Sequence, residues 1–326
     1  MLSYRYFITK LTIMLGGRAL KKLLLGIVDA ESQDQMVRTA KNSRHGLDNM
    51  RYWFRRNRQV APPKEIDVAG VRVFTYAADK GNTSGVPVIL FHGGGFIVGS
   101  HQSHGAFASE LAAATGSMVY LVEYPLFPEV AIQEMIQACE AVVHNLVDKK
   151  NRNRFVLYGD SVGGFLACQV IAARIQQRLR LPDRLYLLSP LIQHRFSFDA
   201  KAVKSKIKTD DILGPTYDLV MENDAVRKKA LKKLGCDTVT ELLDLTSETV
   251  AKFPPVHITY DRDEVLAWEI QSWIKKLKAE KVSLVDNSVD NGFHAFAVYN
   301  YLAISKNYYL TLSNDFKVHI RKKNRS

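Results

Sequence analysis

From Val86 onward the chain alternates short, unbroken apolar runs with longer helical stretches, and this rhythm constrains the fold more than any other feature. The runs are Val86–Phe91, Met118–Val122, Phe155–Tyr158, Leu185–Leu188, Val256–Tyr260 and Val282–Val285. The stretches between and after them read as helices at about Ser103–Thr115, Val130–Asp148, Val162–Arg178, Val265–Lys278 and Ala295–Leu312. A strand without polar alternation is covered on both faces, and helices between such strands are the crossovers of a parallel sheet. Glu65–Val68 and Val71–Tyr76 flank Ala69-Gly70 and read as a hairpin that precedes the parallel part. Two segments fall outside the rhythm. Residues 1–60 read as two basic, amphipathic helices closed by Pro62-Pro63. Between Pro190 and Phe253 there is no clear strand, which reads as a helical insertion between two sheet strands. The expected organisation is a body of residues 61–190 and 253–326, with accessory helices from residues 1–60 and 191–252.

The net charge of +12 is carried by the chain ends. Residues 1–60 hold +8 and residues 314–326 hold +4, so the intervening body is neutral. A nucleic-acid binder carries its charge on the folded body, so no nucleic-acid partner is expected. The basic ends read first as solvated faces. Tyr4, Phe7, Ile8, Leu11 and Leu15 recur near helical spacing among Lys and Arg, which is compatible with peripheral contact to an anionic membrane. No run is long and apolar enough to span one. Arg5, Lys10 and Leu11–Gly17 resemble the start of a leader, but Arg18, Lys21 and Lys22 interrupt it and no A-x-A-like site follows. The three cysteines, Cys139, Cys168 and Cys236, form no disulfide framework, which points to a reducing, cytoplasmic setting. A homo-oligomer is compatible with the sequence.

Two glycine motifs carry the chemistry. Gly159-Asp160-Ser161-Val162-Gly163 fits G-x-S-x-G, with an apolar run before it and a helical pattern after it. That is the strand–turn–helix setting in which a serine is held on a sharp elbow with its hydroxyl presented. A helix start packed on a sheet, or a phosphate loop using Gly164, would share the pattern. The second motif, His92-Gly93-Gly94-Gly95, follows the run ending at Phe91. Consecutive glycines are costly on folding, so something requires their backbone freedom. Backbone N–H groups aimed at an oxyanion are such a requirement, with Val162 N–H as the second source. His92 belongs to the glycine motif and is expected to shape the loop.

Together, His92–Gly95 and Gly159–Gly164 resemble the hormone-sensitive lipase family of α/β-hydrolase esterases. Glu123-Tyr124-Pro125-Leu126-Phe127-Pro128-Glu129 is similar to that family's Y-R-L-A-P-E segment, with departures at Pro125 and Phe127. Val162 stands where the family usually has Ala. The resemblance spans about residues 65–310. It implies an α/β-hydrolase fold with a helical cap, and a cofactor-free carboxylic ester hydrolase acting on a small-molecule ester. The hydrolase order is Ser, acid, His. His257 falls inside an apolar run and reads as a core residue. His294, in Gly292-Phe293-His294-Ala295-Phe296, is similar to the family's G-x-x-H-x-F and is the expected base. Three carboxylates compete for the acid: Asp261, Asp263 and Glu264. The family acid precedes an apolar helix start, so Asp263 is favoured, with Asp261 as the alternative or as a helix cap.

The expected site is therefore Ser161, Asp263 and His294, with Gly93, Gly94 and Val162 as oxyanion donors. A non-catalytic binder on the same fold, or an amidase or peptidase with the same triad, are the competing functions. No metal site is expected: His101 and His104 lack the partners of a zinc motif and are placed at the site mouth. Phe196 and Phe198 are candidates for the acyl pocket or for anchoring the cap. The lysines from Lys201 to Lys208 read as a solvated face, and Cys168 as a small buried residue.

Overall fold

The structure is a computed structural model and describes residues 2–52, 62–78, 84–193, 200–235 and 239–321. Eight strands form one sheet in the order β1-β2-β4-β3-β5-β6-β7-β8. They are β1 Lys64–Val68, β2 Val71–Tyr76, β3 Val88–Phe91, β4 Val119–Glu123, β5 Val156–Asp160, β6 Arg184–Leu188, β7 Val256–Asp261 and β8 Leu284–Val289. β1 and β2 form the antiparallel hairpin, β2 pairs antiparallel with β4, and every pairing from β4 to β8 is parallel. This is an α/β-hydrolase fold, with a mostly parallel sheet flanked by helices.

The unbroken apolar runs have a direct explanation. Along β3, Ile89 and Phe91 join one core cluster, while Val88 and Leu90 join another. β5 and β6 divide in the same way, with Leu157, Leu185 and Leu187 on one face and Val156, Tyr158, Tyr186 and Leu188 on the other. Side chains of a strand alternate between faces, and both faces here are covered. α3 (His101–Thr115) and the C-terminal α11 (Ala303–Phe316) pack together on one side. α4 (Ile132–Val147) and α5 (Val162–Gln176) pack together, and α10 (Ala267–Ala279) adds to the same core as these two. Cys139 and Cys168 are buried in that core as free thiols.

Two boundaries differ from the sequence reading. β8 begins at Leu284 and runs on to Val289, through Asp286, Asn287 and Ser288. It is an edge strand with partly exposed side chains, so its polar half carries no apolar signal. The last helix starts at Ala303, well after Ala295. Ala295 has φ 53°, a left-handed conformation that interrupts a right-handed helix, and only a 3-10 turn at Phe296–Val298 follows.

Of the remaining helices, α9 (Ser247–Ala251) packs on α5 and α10, and the others pack among themselves and on α3. α1 (Leu2–Asp29) and α2 (Gln33–Tyr52) pack against each other. The stretch after β6 contributes α6 (Ala200–Ile207), α7 (Gly214–Glu222), α8 (Asp224–Leu234) and α9 (Ser247–Ala251). α1 packs on α7 and α8, and α2 on α3. Leu24 and Val28 of α1 share a small core with Val220 and Ala230. Arg44 of α2 makes a two-pronged ion pair with Glu129 and donates to the carbonyls of Ile97 and Phe127, which ties α2 to the segment beyond the glycine loop and to the loop after β4. Among the described residues no helix is long and apolar enough to cross a membrane. The side chains of Tyr4, Phe7, Ile8 and Leu11, together with Phe196, Phe198 and Cys236, lie outside the described residues.

Candidate active site

Ser161 stands between the end of β5 and the start of α5 with φ 53° and ψ −122°, a conformation a non-glycine residue adopts only when its surroundings enforce it. The flanking glycines do so. A Cβ on Gly159 would lie 2.3 Å from the Gly163 carbonyl, and one on Gly163 would lie 2.0 Å from that of Phe91. Ser161 N–H donates to Leu188 on β6 (2.9 Å), and its carbonyl accepts from Leu191 (2.9 Å). The elbow is thus tied to the end of β6 and to the segment that follows it.

His294 meets it from the other side: its Nε2 is 3.0 Å from Ser161 Oγ. The loop that carries His294 is held in two places. Ala295 N–H donates to Ser189 Oγ (3.0 Å), and Gly292 N–H donates to Asp261 (2.6 Å). Asp261 also accepts from Asp263 N–H (2.7 Å), closing a tight turn after β7. That turn decides which carboxylate faces the histidine. It throws Asp263 outward, where its side chain is 79% exposed and 3.7 Å from Lys206 Nζ. One residue later Glu264 points inward at 1% exposure, with Oε2 3.4 Å from His294 Nδ1. The structure therefore does not bring Asp263 to His294, and Asp261 is engaged with backbone N–H groups; the carboxylate behind the imidazole is Glu264. The sequence holds a signal for this, since Glu264 is the acid directly before the apolar Val265-Leu266.

The electrostatics agree with the geometry. Burial opposes a charged imidazole, yet the adjoining Glu264 carboxylate, with Asp210 and Asp160 beyond it, outweighs that and holds the His294 pKa above its ordinary value. Burial raises Glu264, while pairing with His294 pulls it the other way. Asp210 was not singled out from the sequence. It comes from the stretch after β6 and is buried, with Oδ1 accepting from Ile212 and Leu213 N–H and Oδ2 accepting from Val265 N–H at 3.0 Å. It thereby grips the backbone next to Glu264.

The glycine loop lies against the elbow. A Cβ on Gly93 would meet Asp160 Oδ2 at 2.3 Å and Ser161 Cβ at 3.1 Å. Gly94 has φ 130°, and its carbonyl accepts from Ile97 and Val98. His92 is buried and shapes this loop: Nδ1 lies 2.8 Å from the Gly93 carbonyl, and the ring stacks on Tyr124. Burial, then the His104 ring, pushes its pKa down to about 4, so it is neutral near pH 7 and donates from Nδ1. Tyr124 in turn donates to the His92 carbonyl (2.6 Å). His104 is buried with Nε2 3.4 Å from Asp160, and His101 pairs with Glu123 and stacks on Phe74. Neither histidine borders the cavity over Ser161, because α3 runs behind the glycine loop. His257 lies buried on β7 beside Asp315.

A cavity of about 160 Å³ opens over Ser161 and is bordered by His294, Gly94 and Val162. Gly93 lies behind the serine and does not border it. The walls are mostly apolar and come from far apart in sequence: Leu20 and Leu24 of α1, Ile212, Leu213 and Tyr217 of the stretch after β6, and Ile97 and Val98 beyond the glycine loop. A serine at the floor of the cavity, backed by a histidine and a buried carboxylate and beside backbone N–H groups at a helix start, is equipped for acyl transfer.

Comparison with known proteins adds to this geometry. The family described as the alpha/beta hydrolase fold matches residues 88–298. The chain is 28% identical over 201 residues to the carboxylesterase/phospholipase LipF of Mycobacterium tuberculosis, covering 61% of this chain and 52% of LipF. It is 31% identical over 156 residues to an esterase of Acinetobacter venetianus, covering 48% of this chain and 49% of that protein. The chain spans about half the length of these curated relatives. An esterase from the bacterial hormone-sensitive lipase family superposes with a TM-score of 0.73 at 19% identity, covering 93% of this chain and 98% of the other, a likeness of fold.

Proposed function

The chain belongs to the alpha/beta hydrolase fold family, and from that premise we propose that it is a serine carboxylic ester hydrolase with Ser161, His294 and Glu264 as its triad. The observation that carries this reading is the 3.0 Å approach of His294 Nε2 to Ser161 Oγ on a strained elbow. Ser161 Oγ attacks the ester carbonyl carbon while His294 Nε2 takes its proton. Glu264 holds the imidazole with Nδ1 protonated and stabilises the imidazolium. The oxyanion is received by the N–H of Val162, an orphan donor of the first helical turn, and by the glycine loop, with Gly94 at the cavity and Gly93 behind it. Collapse expels the alcohol, which takes the proton from His294. A water, deprotonated by His294, then attacks the acyl-enzyme, and the acid leaves as Ser161 recovers its proton.

The N-terminal helices and the helices of residues 191–252 act as a cap that closes the cavity over the serine. A cavity of about 150 Å³ is enough to hold benzene, so the space here suits short to medium acyl chains. Hydrolysis of p-nitrophenyl esters from acetate to laurate, by the wild type and Ser161→Ala, tests the reading. Rates should favour the shorter chains and fall by about a million-fold in the variant. Equal rates in the two proteins would overturn it.

A further inference from the structure

Three residues at the site share an unusual backbone. Ser161 (φ 53°), Ser189 (φ 44°) and Ala295 (φ 53°) are left-handed without being glycine. Such strain persists only where the surroundings enforce it, and it gathers at functional sites. Ser161 forms the elbow, and Ala295 follows His294. Ser189 has no part in the chemistry described so far, yet it stands between them, directly after β6 and fully buried.

Its neighbours hold it there. Ser189 N–H donates to the Thr259 carbonyl on β7 at 2.7 Å. Pro190, which disfavours helical backbone in the residue before it, lies against the start of α5: a Cβ on Gly164 would come within 2.8 Å of its side chain. One short segment is thereby bonded to both halves of the site. The Leu188 carbonyl accepts from Ser161 N–H (2.9 Å), and the Ser189 hydroxyl accepts from Ala295 N–H (3.0 Å). A strand end carrying both bonds fixes the elbow and the His294 loop relative to each other. A hydroxyl that accepts still has a proton to give. Burial raises the Glu264 pKa, and after His294 it is the Ser189 hydroxyl that favours the charged carboxylate.

We propose that Ser189 is a positioning residue for acyl transfer: its hydroxyl, presented by a strained backbone at the end of β6, fixes the His294 loop against the serine elbow. The proposal rests on the triad reading and adds to it a residue that acts through His294. Ser189 does not border the cavity over Ser161, so it meets no substrate. Alanine at this position would leave the Ala295 N–H without its acceptor, and the loop would lose the bond next to the base. A small misplacement of a catalytic group costs up to about a hundredfold in rate.

Ser189→Ala and Ser189→Gly test this. Both lose the hydroxyl, but glycine adopts the left-handed backbone without strain. The readings are kcat and KM on the preferred p-nitrophenyl ester, the pH dependence of kcat/KM, and the rate at which a fluorophosphonate labels Ser161. Both variants should lose about ten- to a hundredfold in kcat and in labelling rate, with KM unchanged because no substrate contact is removed. Burial works against a charged His294, yet Glu264, then Asp210 and Asp160, hold its pKa above the ordinary value. A loosened loop takes the imidazole away from Glu264, so the acid limb of kcat/KM should shift to lower pH. A merely structural role would lower the Tm and leave that limb in place. Ser189→Gly should lose rate with a Tm at or above that of Ser189→Ala. The proposal is overturned if the rates hold, if KM rises while kcat holds, or if the rates fall with the acid limb unmoved. Failure of both variants to fold also overturns it, because a hydroxyl that only positions a loop is dispensable for folding. Labelling needs the triad and no ester. A wild type that is labelled but hydrolyses no ester would sink the esterase reading, while the labelling rates of the variants still judged Ser189. A wild type that is not labelled overturns both.

Discussion

At the scale of single residues, the carboxylates after β7 are separated by direction alone. Asp263 and Glu264 are adjacent and carry the same charge, yet one faces solvent and Lys206 while the other faces His294. Replacing Glu264 by Gln should lower kcat by about ten-thousand-fold, as loss of the orienting acid does in serine proteases. Asp263→Asn should stay within about twofold, the range of an exposed substitution. The pH profile gives a second reading. The base works only when neutral, so kcat/KM rises as pH climbs through the His294 pKa. Glu264 holds that pKa above its ordinary value, so the acid limb should lie above the usual histidine range in the wild type. It should move to lower pH in Glu264→Gln and stay in place in Asp263→Asn. The meeting of Ser161 and His294 was legible in the sequence because each sits in a local motif whose glycines announce the backbone it needs. The carboxylate that lies behind His294 was not: which of Asp261, Asp263 and Glu264 faces the ring depends on the turn closed by the Asp261 carboxylate.

At the scale of elements, the strands were legible wherever both faces are covered, because burial on two sides leaves an unbroken apolar run. The edge strand β8 and the start of α11 were misjudged for the complementary reason: the first is half polar, and the second is delayed by the left-handed Ala295. The loops at the strand ends yield two predictions. Gly93→Ala would drive a Cβ into Asp160 and Ser161. The glycine loop must then move from the serine, and kcat should fall by about a hundred- to thousand-fold, the scale of a lost oxyanion donor, measured on the preferred p-nitrophenyl ester. Asp210 grips Val265 N–H from outside the sheet and has no motif around it, so nothing in the sequence marked it. Asp210→Ala should displace Glu264 and lower kcat by up to about a hundredfold, the scale of a misplaced catalytic group. Asp210→Asn keeps an acceptor oxygen for Ile212 and Leu213 and should recover much of that rate. Both variants remove a negative charge that favours protonated His294, so both should shift the acid limb of kcat/KM to lower pH. A purely structural role would leave that limb in place in the Asn variant.

At the scale of the whole molecule, the cavity is built by segments that meet only on folding. The sequence marked residues 1–60 and the stretch after β6 as lying outside the sheet. It did not indicate that they pack on each other, because the α1 contact with α7 and α8 joins parts of the chain nearly two hundred residues apart. At Gly17, α1 also comes close to the backbone just before α7: a Cβ there would lie 2.2 Å from the Asp211 carbonyl and 2.8 Å from that of Ile212. Both obstacles are backbone, which cannot rotate aside as a side chain tip would. Gly17→Ala must therefore push α1 away from this stretch, at a cost of about 1–3 kcal/mol for overpacking. Leu20 and Leu24 travel with α1, while Ile212 and Leu213 stay with the opposing wall, so the cavity should widen. The acyl-length profile should then shift toward longer p-nitrophenyl esters and the Tm should fall. A fluorophosphonate, which requires the triad and not the wall, should still label Ser161. If the Tm fell and the profile did not move, α1 would be a packing element and the acyl limit would lie with the walls nearer the elbow. A moved profile would make the spacing between α1 and Asp211–Ile212 the dimension that sets which esters enter.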